Sequence, residues 1–261
     1  MIPFDASLYA CGLVVTASLA LLGWLVSLVH RNVTLVDSLW SLFFLLAAAT
    51  YFYAQPEPSQ RAKLIIVLVL LWALRLSLYL AWRNWGKAED RRYQAIRQNN
   101  QPYFWLKSCY IIFGLQVILA WLIGLPLHAV MMSQVPLNGL DIVGLSLWLL
   151  GFGWETVADI QLARFKGDPA NQNAVLNCGL WRYSRHPNYF GECCLWWGYY
   201  LFALAAGGWW TLPAPLLMTL MLLKVSGVAL LEKDIHERRP AYIDYIQNTP
   251  AFLPRFFRTK S

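Results

Sequence analysis

Apolar residues fall into seven blocks, at roughly 8–29, 33–54, 63–82, 104–127, 138–162, 188–206 and 209–231. Most reach the length of about 20 residues that a helix needs to cross the hydrocarbon core of a bilayer. Only Gly207, Gly208 and aromatic residues separate the last two blocks, which predicts a tight helical hairpin. No basic residue precedes the first block and no small-residue cleavage site follows it, so it is expected to be a retained helix, not a cleaved signal peptide. The pattern predicts an all-α polytopic membrane protein of about seven transmembrane helices, with residues 1–261 forming a single integral-membrane domain.

Composition agrees with the pattern. Of the 261 residues, 58% are hydrophobic and 13% charged, and the mean hydropathy is +0.44. A soluble domain is nearer half apolar and a quarter charged. These values exclude a disordered chain, a collagen-like fibre and an ordinary soluble enzyme. Cys11, Cys109, Cys178, Cys193 and Cys194 form no CxxC pair and no metal-type Cys/His spacing, so neither a metal site nor structural disulfides are indicated.

The net charge of +7 changes the picture only through its distribution. Basic residues sit between the apolar blocks, which suits topology signals and an anionic cofactor better than nucleic acid. With seven spans, Arg31, the 83–107 loop, the 164–187 loop and the tail after Lys233 fall on one side, together holding about 17 basic residues. The other side keeps Arg61 and Lys63. This predicts a cytosolic C-terminus with the N-terminus on the opposite side, in the inner membrane if the source is bacterial. The cytosolic connections are too short for a second soluble domain, but long enough to cap a pocket.

Ionisable groups within a span are expensive and therefore mark candidate function. Asp37, Arg75, Glu155, Asp159 and Glu192 are the main cases. Arg75 and Tyr79 share a helix face by their spacing, as do Glu155 and Asp159, with Arg164 and Lys166 just beyond. Structural ion pairing or snorkelling is the alternative reading. The densest stretch is GLWRYSRHPNYFGE, Gly179–Glu192. Pro187 can start a helix there, Arg182 and Arg185 precede that start as candidate phosphate partners, and Glu192 shares the face of Asn188. An ordinary loop-to-helix boundary at the membrane surface accounts for the same residues about as well. WRNWGKAEDRRY, Trp82–Tyr93, and the segment Glu232–Pro254 are similarly dense. In the latter, Tyr242 and Tyr245 are three apart and can pack together, whereas Glu237, Asp244 and Lys260 read as a solvated face. Gly151 and Gly153 begin a GxGxxG-like pattern, but position 156 is Thr and no strand precedes it.

Four segments, RLSLYLAWRNWGKAEDRRY (Arg75–Tyr93), ETVADIQLARFKGDPAN (Glu155–Asn171), GLWRYSRHPNYFGE and RRPAYIDYIQNTPAFLP (Arg238–Pro254), resemble the bacterial membrane branch of the steroid 5-alpha-reductase-like family. The chain is also similar to the sterol reductases and the isoprenylcysteine carboxyl methyltransferases. The resemblance implies a cytosol-facing NADPH pocket formed by the C-terminal half, and hydride transfer to a C=C bond conjugated to a ketone. Carried over by position, it implies cofactor contacts from Asp159, Asn188 and Glu192, from Arg75, Arg83 and Asn84, and from Glu232, Arg239 and Tyr242 in the C-terminal motif; Tyr189, next to Asn188, is expected at the same site. Arg164, Lys166, Arg182 and Arg185 complete the expected set.

Two departures matter. Where the animal steroid enzymes present a glutamine-glutamate pair in the second helix, this chain has VDSLW (Val36–Trp40), with Asp37 its only acid. Their third-helix tyrosine corresponds to Trp72. Carbonyl polarisation is therefore expected from a protonated Asp37, from Tyr53 or from Tyr79. The leading expectation is an NADPH-dependent ene reductase acting on a steroid-like or other lipid substrate. An S-adenosylmethionine-dependent methyltransferase is the second, although the paired glutamates usual there are Glu232-Lys233 here. A noncatalytic lipid-binding protein is the third.

Overall fold

The computed structural model describes residues 4–172, 174–225, 227–228, 232 and 242–256. Among them all regular structure is helical. The chain divides into two compact units, one of residues 1–137 with 203–211, the other of residues 138–202 with 212–261.

The first unit is built on α1 (Ala6–His30), α2 (Leu35–Tyr53) and α3 (Gln60–Asn84). Asp5 caps α1 by accepting from the Leu8 amide at 2.9 Å, and Ser59 caps α3 through the Ala62 amide at 3.2 Å, satisfying amides that a helix start leaves open. The buried side of α1 is Tyr9, Gly12, Thr16, Ala20, Gly23 and Ser27. Its exposed side carries Val14, Leu21, Leu22, Leu25 and Val29. Small and polar residues inside with leucine and valine outside is the pattern of a helix facing lipid, where close packing substitutes for a hydrophobic drive. Gly12 shows how close: a Cβ there would lie 2.2 Å from the Tyr51 hydroxyl. Ser41 donates to the Ala73 carbonyl at 2.8 Å, tying α2 to α3 around the fully buried Phe43, Phe44, Ile65 and Trp72.

The 83–107 connection folds further than its polarity suggests, forming α4 (Arg91–Asn99). The fourth apolar block becomes α5, Phe104–Ile123, interrupted by a π-helical turn over Cys109–Gly114. Gly124 and Pro126 then end α5 and begin the short α6, Leu125–Met131.

The second unit begins with α7 (Gly139–Gly167), started by a reciprocal capping box of Asn138 and Asp141. Next comes α8 (Pro187–Ala205), which opens on its proline and passes into the first unit at residue 203. It is followed by α9 (Pro213–Leu220), which continues as a π-helical turn over Met221–Val225, and by α10 (Tyr242–Asn248). Within the unit α7 and α8 approach almost to backbone contact. A Cβ on Gly191 would meet the Glu155 amide nitrogen at 2.5 Å, and one on Gly144 would meet the Gly198 carbonyl at 3.1 Å. Trp197 donates to Thr219 at 3.2 Å, joining α8 to α9 as the predicted hairpin requires.

Helices α1, α2, α3, α5 and α7 are long and apolar enough to cross a membrane, which marks an integral membrane protein. The expectation of seven such helices is met only in part. Asn188, Glu192 and the tyrosines and tryptophans of α8 lower its hydropathy, and residues 209–225 form a shorter apolar helix.

Candidate functional site

The expected site residues fall into two groups, one in each unit. In the second unit α7 carries the buried Glu155 and Asp159 one turn apart, and α8 carries the buried Glu192. Asn188, one turn before Glu192, donates through Nδ2 to Asp159 Oδ1 at 3.4 Å. Its Oδ1 is buried and accepts no hydrogen bond among the described residues. The glycine-mediated approach of the two helices at Gly191 sets this cluster. Buried acids beside an amide with an acceptor to spare are the groups that a ligand amide or hydroxyl would engage. Arg164 and Lys166 follow on the exposed last turn of α7.

The segment leading into α8 is held on two sides. The turn Gly179–Arg182 is fixed to α7 by Trp181 Nε1 donating to the Ala158 carbonyl at 3.1 Å and by the Leu180 amide donating to Gln161 Oε1 at 2.9 Å. Gly179 takes φ +59, and a Cβ there would run into the Gln161 side chain. From the other side the C-terminal segment wraps it. Ser184 donates to the Phe252 carbonyl at 2.8 Å, the Arg255 amide to the Tyr183 carbonyl at 2.9 Å, and the Tyr245 hydroxyl to the Trp181 carbonyl.

Arg185 departs from its expected phosphate role. Its guanidinium donates to both oxygens of Glu232, at 2.8 and 2.7 Å, and its remaining nitrogen to the Ile246 and Thr249 carbonyls. With four of its five N–H donors engaged, it fastens the α8 lead-in to the C-terminal segment. His186 adds a 2.9 Å contact to Glu232 and stacks on Tyr189 with ring centroids 5.5 Å apart. Burial opposes the Glu232 carboxylate, but hydrogen bonds from Arg185 and His186 outweigh it and hold the pKa at about 2. Glu232 is thus a clasp residue. Tyr242 packs edge-on against Tyr245, as their spacing predicts. Arg239 lies outside the described residues.

Arg182 is free of this clasp and lines a cavity of about 640 Å³ with Asp244, Tyr245 and Asn248.

In the first unit Asp37, expected as a donor to the substrate carbonyl, lies among groups that donate to it. Arg92 donates to it at 2.8 Å, the Tyr93 hydroxyl at 2.5 Å, and Arg83 lies 4.0 Å away. Tyr93 in turn accepts from Gln116 at 3.2 Å. Burial first, and the Asp37 charge second, push the Tyr93 phenol well above its ordinary pKa. Sequence reasoning passed over Tyr93, and nothing local marks it except the density of WRNWGKAEDRRY. Tyr53 stands at the opposite end of α2 from Asp37, about 24 Å along the helix, and is 83% exposed. Tyr79 lies beneath the Arg83 guanidinium, 6.0 Å from its ring centroid. Asn84 accepts from Arg83 at 3.1 Å, and Arg75 lies two turns before Arg83 on α3. Among the described residues no His/Cys/Asp/Glu group has the make-up of a metal site.

Comparison with known proteins adds a family. A curated relative, an uncharacterized protein of Schizosaccharomyces pombe, is 29% identical over an alignment covering 97% of this chain and 81% of its own length. No solved structure matches the chain. The family described as "Protein of unknown function (DUF1295)" matches residues 23–249. With most of the chain inside that match, the protein belongs to this family, one of the steroid 5-alpha-reductase-like superfamily.

Proposed function

We propose that the protein is an NADPH-dependent membrane ene reductase whose second unit binds the cofactor, and whose substrate is a steroid-like or other lipid reaching it from the bilayer. The observation that carries this reading is the Asp159–Asn188–Glu192 cluster, with a buried Asn188 Oδ1 that accepts no hydrogen bond among the described residues. These residues fit a nicotinamide carboxamide, which offers both an N–H donor and a carbonyl. Asp159 and Glu192 would accept from its amide, and Asn188 would orient it. Arg164 and Lys166, exposed at the end of α7, supply cations for the phosphates. When bound, NADPH supplies the hydride that adds to the β-carbon of an alkene activated by a ketone. Superfamily membership agrees with this chemistry without specifying it. In membrane terms we read α8 and the helix of residues 209–225 as two further spans, giving seven with the C-terminus in the cytosol, in line with the basic residues of the 83–107 and 164–187 connections.

The test is direct. Detergent-purified protein is titrated with NADPH and with S-adenosylmethionine while its thermal unfolding is followed, then assayed for NADPH oxidation with enone lipids. A ligand that binds only the folded state raises its midpoint. NADPH stabilisation together with enone-dependent oxidation is the expected result. Stabilisation by S-adenosylmethionine alone would reassign the protein to methyl transfer, and folded protein that binds neither would make it noncatalytic.

A further inference from the structure

The cavity beside Arg182 is a second place where chemistry gathers in the C-terminal unit, and neither Asp159 nor Asn188 is among its lining residues. It lies between the 175–182 loop and residues 244–249, with Arg182 and Asn177 from the loop and Asp244, Asn248 and Thr249 from the C-terminal segment. Its volume of about 640 Å³ falls within the range of small-molecule pockets. Separate devices hold its walls. The loop is pinned to α7 through Trp181 and Leu180, and the C-terminal segment through the Arg185 guanidinium. The pocket is therefore preformed.

Its charges are unusual. Arg182 and Asp244 are both exposed and line the same space, yet among the described residues neither has an ion-pair partner, each other included. A bare phosphate drawn to Arg182 would be repelled by Asp244. A bare amine would meet the reverse. A ligand carrying both charges satisfies both walls and leaves the Asn177 amide, and the second N–H of Asn248 beyond the one given to the Asp244 carbonyl at 2.7 Å, to bond its oxygens. Tyr245 contributes a ring but no donor, because its hydroxyl is given to the Trp181 carbonyl. On the same C-terminal segment Ile243, Leu253 and Phe256 are exposed apolar side chains. Such residues on a membrane protein belong at the headgroup boundary.

We propose that this cavity binds a zwitterion made of an ammonium and an oxyanion, the chemistry of a phosphoethanolamine group, with the oxyanion at Arg182 and the ammonium at Asp244. The proposal stands apart from the reductase reading and survives its failure. Two sources could supply that chemistry, a phosphatidylethanolamine headgroup or a soluble zwitterion.

The experiment is calorimetric titration of the full-length purified protein with O-phosphoethanolamine, inorganic phosphate and ethanolamine. The expected result is saturable binding of O-phosphoethanolamine at least tenfold tighter than of either half. Asp244→Asn and Arg182→Gln should each weaken it at least tenfold, and both positions are exposed, so unliganded unfolding midpoints should match the wild type. Ethyl phosphate, which lacks the amine, tests the same point without any variant. Equal binding of ethyl phosphate and O-phosphoethanolamine would overturn the proposal, as would indifference to Asp244→Asn or no saturable binding. Nanodiscs of phosphatidylethanolamine or phosphatidylglycerol then separate the sources. Copurifying phosphatidylethanolamine lost in Asp244→Asn assigns the lipid, and its absence alongside soluble binding assigns the soluble molecule.

Discussion

Arg185 and Glu232 meet through two parallel hydrogen bonds, 2.8 and 2.7 Å long, across 47 residues of sequence. Both side chains are nearly buried, at 9% and 16% exposure. Fork-to-fork pairing of this kind is geometrically specific as well as strong. Since Arg185 also donates to two carbonyls near the end of α10, the pair decides whether the C-terminal segment stays closed over the start of α8.

The clasp makes stability depend on acid pH. The Glu232 carboxyl is held at about 2 against an ordinary value of 4.5. A depressed carboxylate stabilises the folded state fully above its unfolded pKa, and that contribution is lost as the pH falls from about 4.5 towards 2. The gap corresponds to about 3 kcal/mol. Glu232→Gln should therefore lower stability by about that amount at neutral pH. Its stability curve should be flatter between pH 4.5 and 2, and the two proteins should converge at the acid end. Thermal unfolding in detergent across this range checks it. Parallel curves for the two proteins would remove Glu232 as the clasp.

The sequence distinguished these roles poorly, for a physical reason. Arg182 and Arg185 are three residues apart in one basic stretch, and only the distant Glu232 makes one a clasp and leaves the other lining a cavity. Asp37 is a similar case. Viewed along its own helix it is an isolated acid in an apolar span, and it reads as a neutral donor, but Arg92 and Tyr93 arrive from 55 and 56 residues away. The spans α1, α2, α3 and α7 were legible because length and apolarity alone define them. Helix α4 was not, since RRYQAIRQN has no apolar stripe beyond Tyr93 and Ile96 and is held by partners outside it.

Those partners give a second prediction. The Arg97 guanidinium grips Glu89 with two contacts of 2.7 Å, and Arg92 and Tyr93 hold Asp37. Tyr93→Phe removes the hydrogen bond to Asp37 and the longer one accepted from Gln116, and should cost about 1.5–3 kcal/mol. Asp37→Ala removes the acceptor of both Arg92 and Tyr93, although Arg92 keeps Asp90 at 3.0 Å, and should cost about 3 kcal/mol or more. Hydrogen exchange should rise over residues 91–99 in both variants, and more in the second. Unchanged exchange there would show that α4 is anchored by something else.

A third concerns the seam between α7 and α8. At Gly191 an added Cβ would meet the Glu155 nitrogen at 2.5 Å and the Gly151 carbonyl oxygen at 2.7 Å, both backbone atoms that cannot swing aside. Gly191→Ala should destabilise by about 1–3 kcal/mol. Gly153, in the same α7, has nothing within 4 Å of such a Cβ. There the loss of glycine's conformational freedom dominates, and Gly153→Ala should stabilise by about 0.5–1 kcal/mol. Opposite signs in thermal unfolding are the expected outcome, and a shared sign would contradict the close approach at Gly191.

The last prediction separates cofactor binding from folding at the same seam. Asn188 is only partly buried and its one hydrogen bond to Asp159 is long, at 3.4 Å. Removing that bond should cost the fold less than about 1 kcal/mol. If the amide and Glu192 instead serve a bound nicotinamide, replacing both by Ala withdraws two buried hydrogen-bonding groups from the ligand. Losses of about 1.5 kcal/mol at each amount to roughly a hundredfold in affinity. Asn188→Ala alone should keep most of its unliganded unfolding midpoint, and the double variant should lose the rise that NADPH produces in the wild type. Asn188→Asp probes the sign of the charge, because a third acid beside Asp159 and Glu192 should repel an anionic cofactor more than alanine does. An intact NADPH response in the double variant would move the cofactor away from α7 and α8 altogether.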